Sequence, residues 1–325
     1  MDQFRTPPGS PGQAMPRTIM GFVLAFTGVH QAGLALLSIA VFGLSAVPLE
    51  LQRRIINHLT EKSGLEPVFW LALAYAGVAL TEQSLKLTLN IYRGWVAEST
   101  VRRLRDRIHG AGTGARAKST EGTGVEIAMM VEEAEPIGGF TALSVSEPLL
   151  QGGVLVSVIG YMLFLQPWLA LLGLAFFLPQ TVVVPILQAM INRRARDRIL
   201  VKRDMSGAIV ERRDSGTSVI ADSVDTGINR IFTLNMGIYR FKFSMNLFMN
   251  LMHHFSVASA LCVGGWMVLE GHLDVGTVVA IVGGLGKLND PWGDLVNWAR
   301  EFSVIAVKYR LFADAAEWLE GPGEA

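Results

Sequence analysis

Trp168 to Ile191 reads WLALLGLAFFLPQTVVVPILQAMI, without a single charge, and Asn192 to Arg198, directly after it, reads NRRARDR. At 1.5 Å per residue the apolar stretch makes a helix of about 36 Å, enough to cross a hydrocarbon layer of about 30 Å. A soluble helix of that length would need a polar face, and this one has none. The abrupt change to arginine marks the edge of the membrane. The juxtaposition predicts a helix that spans a bilayer and leaves it on a positively charged side.

Five further apolar runs follow the same logic. Ile19–Val47 is too long for the 7–15-residue core of a signal peptide, so it is read as a span that stays. Val68–Leu80 continues less purely to Ile91, and Phe140–Leu165 is interrupted by Glu147 and Pro148. Phe243–Leu269 contains His253 and His254; Val275–Leu285 breaks at Lys287, Asn289, Asp290 and Pro291 and resumes at Leu295. The expected fold class is an all-α membrane protein with six transmembrane helices. Residues 1–18, rich in Pro, Gly and Ser, are expected to be a disordered tail, 19–318 the membrane domain and 319–325 a C-terminal tail.

Composition excludes the common alternatives. Half the chain is hydrophobic, 17% is charged and the mean hydropathy is +0.38, whereas a soluble domain carries about 25% charged residues. The 28 basic and 28 acidic residues cancel, so net charge points to no nucleic-acid partner. Cys262 is the one cysteine, which rules out an intrachain disulfide and a cysteine metal cluster; inside an apolar run it is expected to be a small buried hydrophobe. No paired catalytic carboxylates, Ser/His/Asp arrangement or metal motif stands out, and no G-x-x-x-x-G-K-[ST] occurs: Gly286-Lys287 is followed by leucine. The chain is therefore expected to have no catalytic, cofactor or metal residues of its own.

The connections carry the rest of the reading. Spans 3 and 4 are joined by Gln166 and Pro167 and spans 5 and 6 by Glu270–Asp274, but residues 92–139 and 192–242 form two long loops of nearly equal length. These loops hold most of the arginines, from Arg93 to Arg116 and from Arg193 to Arg240. The opposite side has Arg53, Arg54 and Lys62. The positive-inside bias puts the loops and both termini in the cytoplasm. Val101, Leu104 and Ile108 recur at helical spacing, with Glu98, Arg102 and Asp106 as an i, i+4 ladder. Spans 2 and 4 are thus expected to continue as long cytoplasmic helical extensions. Breakers end each extension: the glycine-rich stretch around Lys118, Glu121 and Gly124, and Asp214-Ser215-Gly216-Thr217, read as the cap of a short helix.

This layout resembles the transmembrane domain of ABC exporters in its six-span half-transporter form. The motifs lie in the family's order: Leu104-Arg105 before the first loop tip, Thr123-Gly124 opening span 3, Gln166-Pro167-Trp168-Leu169-Ala170-Leu171 opening span 4, and the Gly271–Gly276 turn opening span 6 with Asp290-Pro291 inside it. The first tip is glycine-rich and lacks the aromatic-acidic pair usual there. The resemblance implies that Lys118, Glu121, Gly124, Asp214, Ser215 and Gly216 form coupling tips. They would dock on a separate ATP-binding cassette subunit, which would carry the ATP and Mg. It further implies a homodimer or heterodimer in a bacterial inner (plasma) membrane, moving a substrate the sequence does not name. The alternative is a cassette-less, proton-driven transporter with the same membrane fold.

Polar groups inside the spans separate these readings. Glu147, Glu82, His30 and His253 are the candidates for a cavity lining or a proton relay, because an ionisable group at membrane depth costs about 2.5–3.5 kcal/mol. The plainer readings are an interfacial position for Glu147, interhelical hydrogen bonds for the histidines, and an i, i+4 ion pair of Glu82 with Lys86. Gly153 and Ser157 are spaced to let helices approach closely. Trp168, Trp266, Trp292 and Trp298 fall where interface anchors are expected.

Overall fold

The computed structural model describes residues 15–111, 126–127, 129–215 and 218–320, side chains at 111, 132, 199, 203–224 and 320 excepted. It is helical throughout with no strand among the described residues. The helices are α1 (Ile19–Leu44), α2 (Val47–Thr60), α3 (Leu65–Ala111), α4 (Ala134–Leu143, entered through a π turn at Met129–Glu133), α5 (Ser146–Leu165), α6 (Pro167–Ser215), α7 (Ser218–Leu269), α8 (Val275–Gly286) and α9 (Asn289–Glu320). Five described stretches are long and apolar enough to cross a membrane, starting at Ile19, Leu65, Met129, Pro167 and Asp225. The sixth apolar run is divided into α8 and α9 by a turn at Lys287–Leu288, the break expected there. The all-α architecture is the expected one.

The chain forms two compact units, Met1–Met162 with Asp290–Ala325, and Leu163–Asn289. In the first, α1 and α3 run antiparallel and α4–α5 lies against both. Glycine sets how closely they pack. A Cβ on Gly153 would overlap the Phe42 ring, and one on Gly138 would overlap Val101. The small residue at 153 therefore does bring α5 against α1, as its spacing suggests, while the Gly138 approach carries no sequence signal. Leu34, Val41, Leu89, Val96, Ala142 and Leu150 fill the interface.

Polar contacts fix the register of these helices. His30 Nδ1 lies 2.9 Å from Tyr92 Oη, Gln31 Nε2 donates to the Thr141 carbonyl at 2.8 Å, and Arg103 donates to the Phe26 carbonyl at 3.0 Å. Residues 19–26 of α1 consequently lie beside the charged stretch of α3, not beside its apolar run. Part of this stretch belongs to a protein core, with Ile19, Phe22 and Val23 clustered with Val101, Leu104, Ile108, Tyr309 and Phe312, while Leu24 is exposed. An apolar helix face is the same in sequence whether lipid or protein covers it. The core also holds Met15, which is buried. The Tyr309 hydroxyl donates to the Pro16 carbonyl at 2.7 Å, and Thr18 caps α1 by accepting from Gly21 N. The last residues of the expected disordered tail are thus packed. Burial pushes the Tyr309 phenol up from its ordinary value. At the other end, α9 continues past 318 and buries Leu319. Trp298, partly buried, stacks on Phe302 and packs against this same core.

In the second unit α6 and α7 form a long antiparallel hairpin. Gly173 admits Leu285 of α8, and Gly264 admits Leu169 and Val278, with would-be Cβ contacts near 3 Å. The Ser256 hydroxyl donates to the Gly173 carbonyl at 2.8 Å. Gly271, at φ +74°, ends α7 with its N–H bonded to Val268 O and that of His272 to Met267 O. This is the left-handed helix stop that glycine permits. Asp274 then caps α8, accepting from Thr277 N at 2.6 Å. Cys262 is exposed in the single chain, not buried as expected. Both prolines, Pro179 and Pro185, are accommodated within α6.

Candidate functional site

The densest polar group within the apolar helices lies in the first unit, where α3, α5 and α9 contribute one chain of contacts. Arg93 sits on α3 just past its apolar run. Its Nη1 is 2.7 Å from Glu147 Oε2, and its Nε donates to Ser146 Oγ at 2.9 Å. Both side chains of the pair are at least 85% buried. The pair is possible because α5 begins at Ser146: the break at residues 144–145 opens a fresh helix start, and Pro148 falls in its first turn, where a proline N–H is not needed. Gln151, one turn on, donates from its single amide nitrogen to Glu147 Oε1 at 2.8 Å and to Asp294 Oδ2 of α9 at 2.9 Å. Ser38 of α1 closes the group by donating to the Ser146 carbonyl at 3.2 Å.

The charges do not cancel along this chain. Arg93 neutralises Glu147, and Asp294 adds a second carboxylate bridged only through Gln151. Arg93 Nη2 is buried without a hydrogen-bond partner among the described residues. The group therefore holds one matched ion pair, one buried donor without a partner among the described residues, and one further, exposed carboxylate. Sequence reading found Glu147 but placed Arg93 among the solvated loop charges, and it missed Asp294 altogether. The one available signal for Asp294 was its i, i+4 relation to Asp290 in a proline-broken apolar run.

The other predicted residues are not gathered with it. His30 meets the Tyr92 hydroxyl and stands edge-on to the Trp95 ring, with centroids 5.0 Å apart. Glu82 pairs with Lys86 at 2.6 Å, the i, i+4 ion pair expected on plain grounds. No hydrogen bond or ion pair among the described residues joins His30, Glu82 and Glu147. His253 is in the second unit, half-buried near Gly286, while its neighbour His254 is exposed, so the two adjacent histidines do face different surroundings. Among the described residues no three His, Cys, Asp or Glu side chains come together as metal ligands.

Of the expected coupling tips, Lys118, Glu121, Gly124 and Gly216 lie outside the described residues. Asp214 and Ser215 are the last residues of α6, not the cap of a separate short helix. α7 starts at Ser218 and runs unbroken to Leu269, so the returning segment is one continuous helix of 52 residues. Helix propagation explains this: once the first turn is formed, each added residue contributes a hydrogen bond, and residues 218–242 contain no proline.

No curated protein matches the chain. The family model of the ABC transporter transmembrane region matches residues 32–289, from the first span through the turn between α8 and α9. With its long apolar helices and extended hairpins, this chain is an integral membrane protein that belongs to the ABC transporter transmembrane family.

Proposed function

We propose that the chain is the membrane-spanning subunit of a transporter that uses ATP hydrolysed by a separate cassette subunit. The observation that carries this reading is the length of α6 and α7 beyond their apolar stretches. Residues 192–215 and 218–242 each add about 24 residues, projecting about 36 Å from the membrane edge. A lever of that length gives a partner at its tip a differential contact with two states of the bundle, which coupling requires. In this reading the extensions and both termini are cytoplasmic, the membrane is the plasma membrane, and two such chains, alike or different, enclose the substrate path. The chain itself hydrolyses nothing.

A photo-crosslinking residue at Gly216, compared with one at Gly271, tests this in native membranes. The expected result is an adduct at Gly216 that can be labelled with a photoreactive ATP analogue, and none at Gly271. Absence of an ATP-binding adduct at Gly216 refutes the cassette-driven reading. The proton-driven alternative, with its expected relay of Glu147, Glu82 and the histidines, then remains. A cysteine at Arg193 in a Cys262→Ala background should resist impermeant labelling in intact cells, whereas one at Gly271 should be labelled.

A further inference from the structure

The α6–α7 hairpin carries a concave basic surface that coupling does not use. A cavity of about 530 Å³ is lined by Arg194 on α6 and by Arg230, Thr233, Gly237 and Arg240 on α7. The absent side chain at Gly237 lets Arg194 lie against α7. A Cβ there would stand 2.8 Å from Nε and 3.0 Å from Cδ of Arg194. Arg194 therefore crosses α7 at this glycine, and its guanidinium comes to rest 4.4 Å from the centroid of the Phe241 ring. That cation–π contact fixes the guanidinium without neutralising it. One turn further along α6, Arg198 donates to Asn235 Oδ1 at 3.0 Å, and its Nε is buried with no hydrogen-bond partner among the described residues. Among the described residues no ion pair engages Arg194, Arg198, Arg230 or Arg240. Asp197 and Asp225, the nearest acids along the two helices, are exposed and outside the lining.

Depth selects the ligand. Arg194 is three residues beyond Ile191 and Arg240 three before Phe243, the edges of the two apolar runs. Three residues are about 5 Å along a helix, and the polar headgroup layer on each face of a bilayer is about 5–7 Å thick. Both guanidiniums thus stand at headgroup level, while Arg230 lies farther out and adds to the positive field. A cavity with one guanidinium held on an aromatic ring and a second at the same level suits the phosphate of a lipid headgroup.

We propose that this pocket binds the phosphate of an anionic phospholipid and so ties the α6–α7 hairpin to the membrane surface. The assignment depends on the spans alone and stands whether or not a cassette drives the protein. The test uses the purified full chain, delipidated in mild detergent and titrated with phosphatidylglycerol or phosphatidylcholine of identical acyl chains, with binding read by native mass spectrometry. Phosphatidylglycerol should bind in preference. Arg194→Gln with Arg240→Gln should weaken it by about 25-fold, since each basic group near an anionic surface contributes about fivefold. Arg193→Gln with Arg196→Gln, the same charge change outside the cavity, should have less than about a twofold effect on that scale. Gly237→Leu leaves every charge in place and should also weaken binding by displacing Arg194; Arg194→Lys with Arg240→Lys, which keeps the charges, should retain the preference. Equal binding of the two lipids, or equal damage from the two glutamine pairs, overturns the proposal. Free glycerol 3-phosphate binding as tightly as the lipid would overturn it too, assigning the pocket to a soluble anion.

Discussion

The two units treat their polar groups differently. In the first, groups that interrupt apolar helices are buried and mostly matched within the chain: Gln31 with Thr141, Ser38 with Ser146, Arg93 with Glu147. In the second, the described interhelical polar contacts are neutral or singly charged, Ser256 on the Gly173 carbonyl and Arg198 on Asn235, and the arginines lie outside the apolar runs without acidic partners among the described residues. Buried charge must be paired where it lies, because removing it from water costs several kcal/mol per ion. Charge at a membrane edge is already solvated and stays available to lipid, anion or partner. The first unit is thus held by its polar groups, and the second displays them.

The comparison breaks most readily at Arg93. Arg93→Leu leaves Glu147 buried and unpaired, so it is expected to cost about 3–5 kcal/mol, and Arg93→Leu with Glu147→Leu should recover much of that. Thermal unfolding in detergent measures both. Equal melting of the single and double variants would mean that the pair is not holding the unit together. Next in size, Gly153→Leu forces a side chain into the Phe42 ring, where overpacking costs about 1–3 kcal/mol. Gly160→Leu on the same helix meets nothing within 4 Å and should be nearly silent. If the two glycines respond alike, the α1–α5 approach is looser than described.

For the second unit, Ser256→Ala should lower stability by about 0.6 kcal/mol, the usual worth of an interhelical hydrogen bond in a membrane. A loss as large as that of Arg93→Leu would erase the distinction between the units. Smallest of all, Asp106→Asn removes a surface pair whose closest atoms are 3.8 Å apart and whose side chains are about 80% exposed. Its effect should stay below about 0.5 kcal/mol and vanish in high salt.

Much of this was legible in one dimension, and the misses have physical causes. The break at Lys287–Leu288, the helix stop at Gly271 and the Glu82–Lys86 pair are local: each depends on residues within about one helical turn. Arg93 was misread because it stands in a run of arginines, and nothing in its neighbourhood of sequence says that Glu147, 54 positions away, will face it. Asp294 and Gly138 were missed for the same reason, since their significance lies in what stands opposite them. That Phe22 and Val23 are buried in a protein core was likewise not legible, because an apolar side chain reads the same whether protein or lipid covers it.

The sequence by itself determined the long apolar runs, the membrane location and the long extensions, but not that the third run, like the sixth, is divided into two helices. The first three follow from hydropathy and periodicity along the chain, which no distant contact is needed to set. The tertiary structure alone decided which charges are matched and which are left open. A salt bridge such as Arg93–Glu147, or a close approach such as that of Arg194 to Gly237, exists only when two remote segments meet, and the meeting is governed by the packing of whole helix faces.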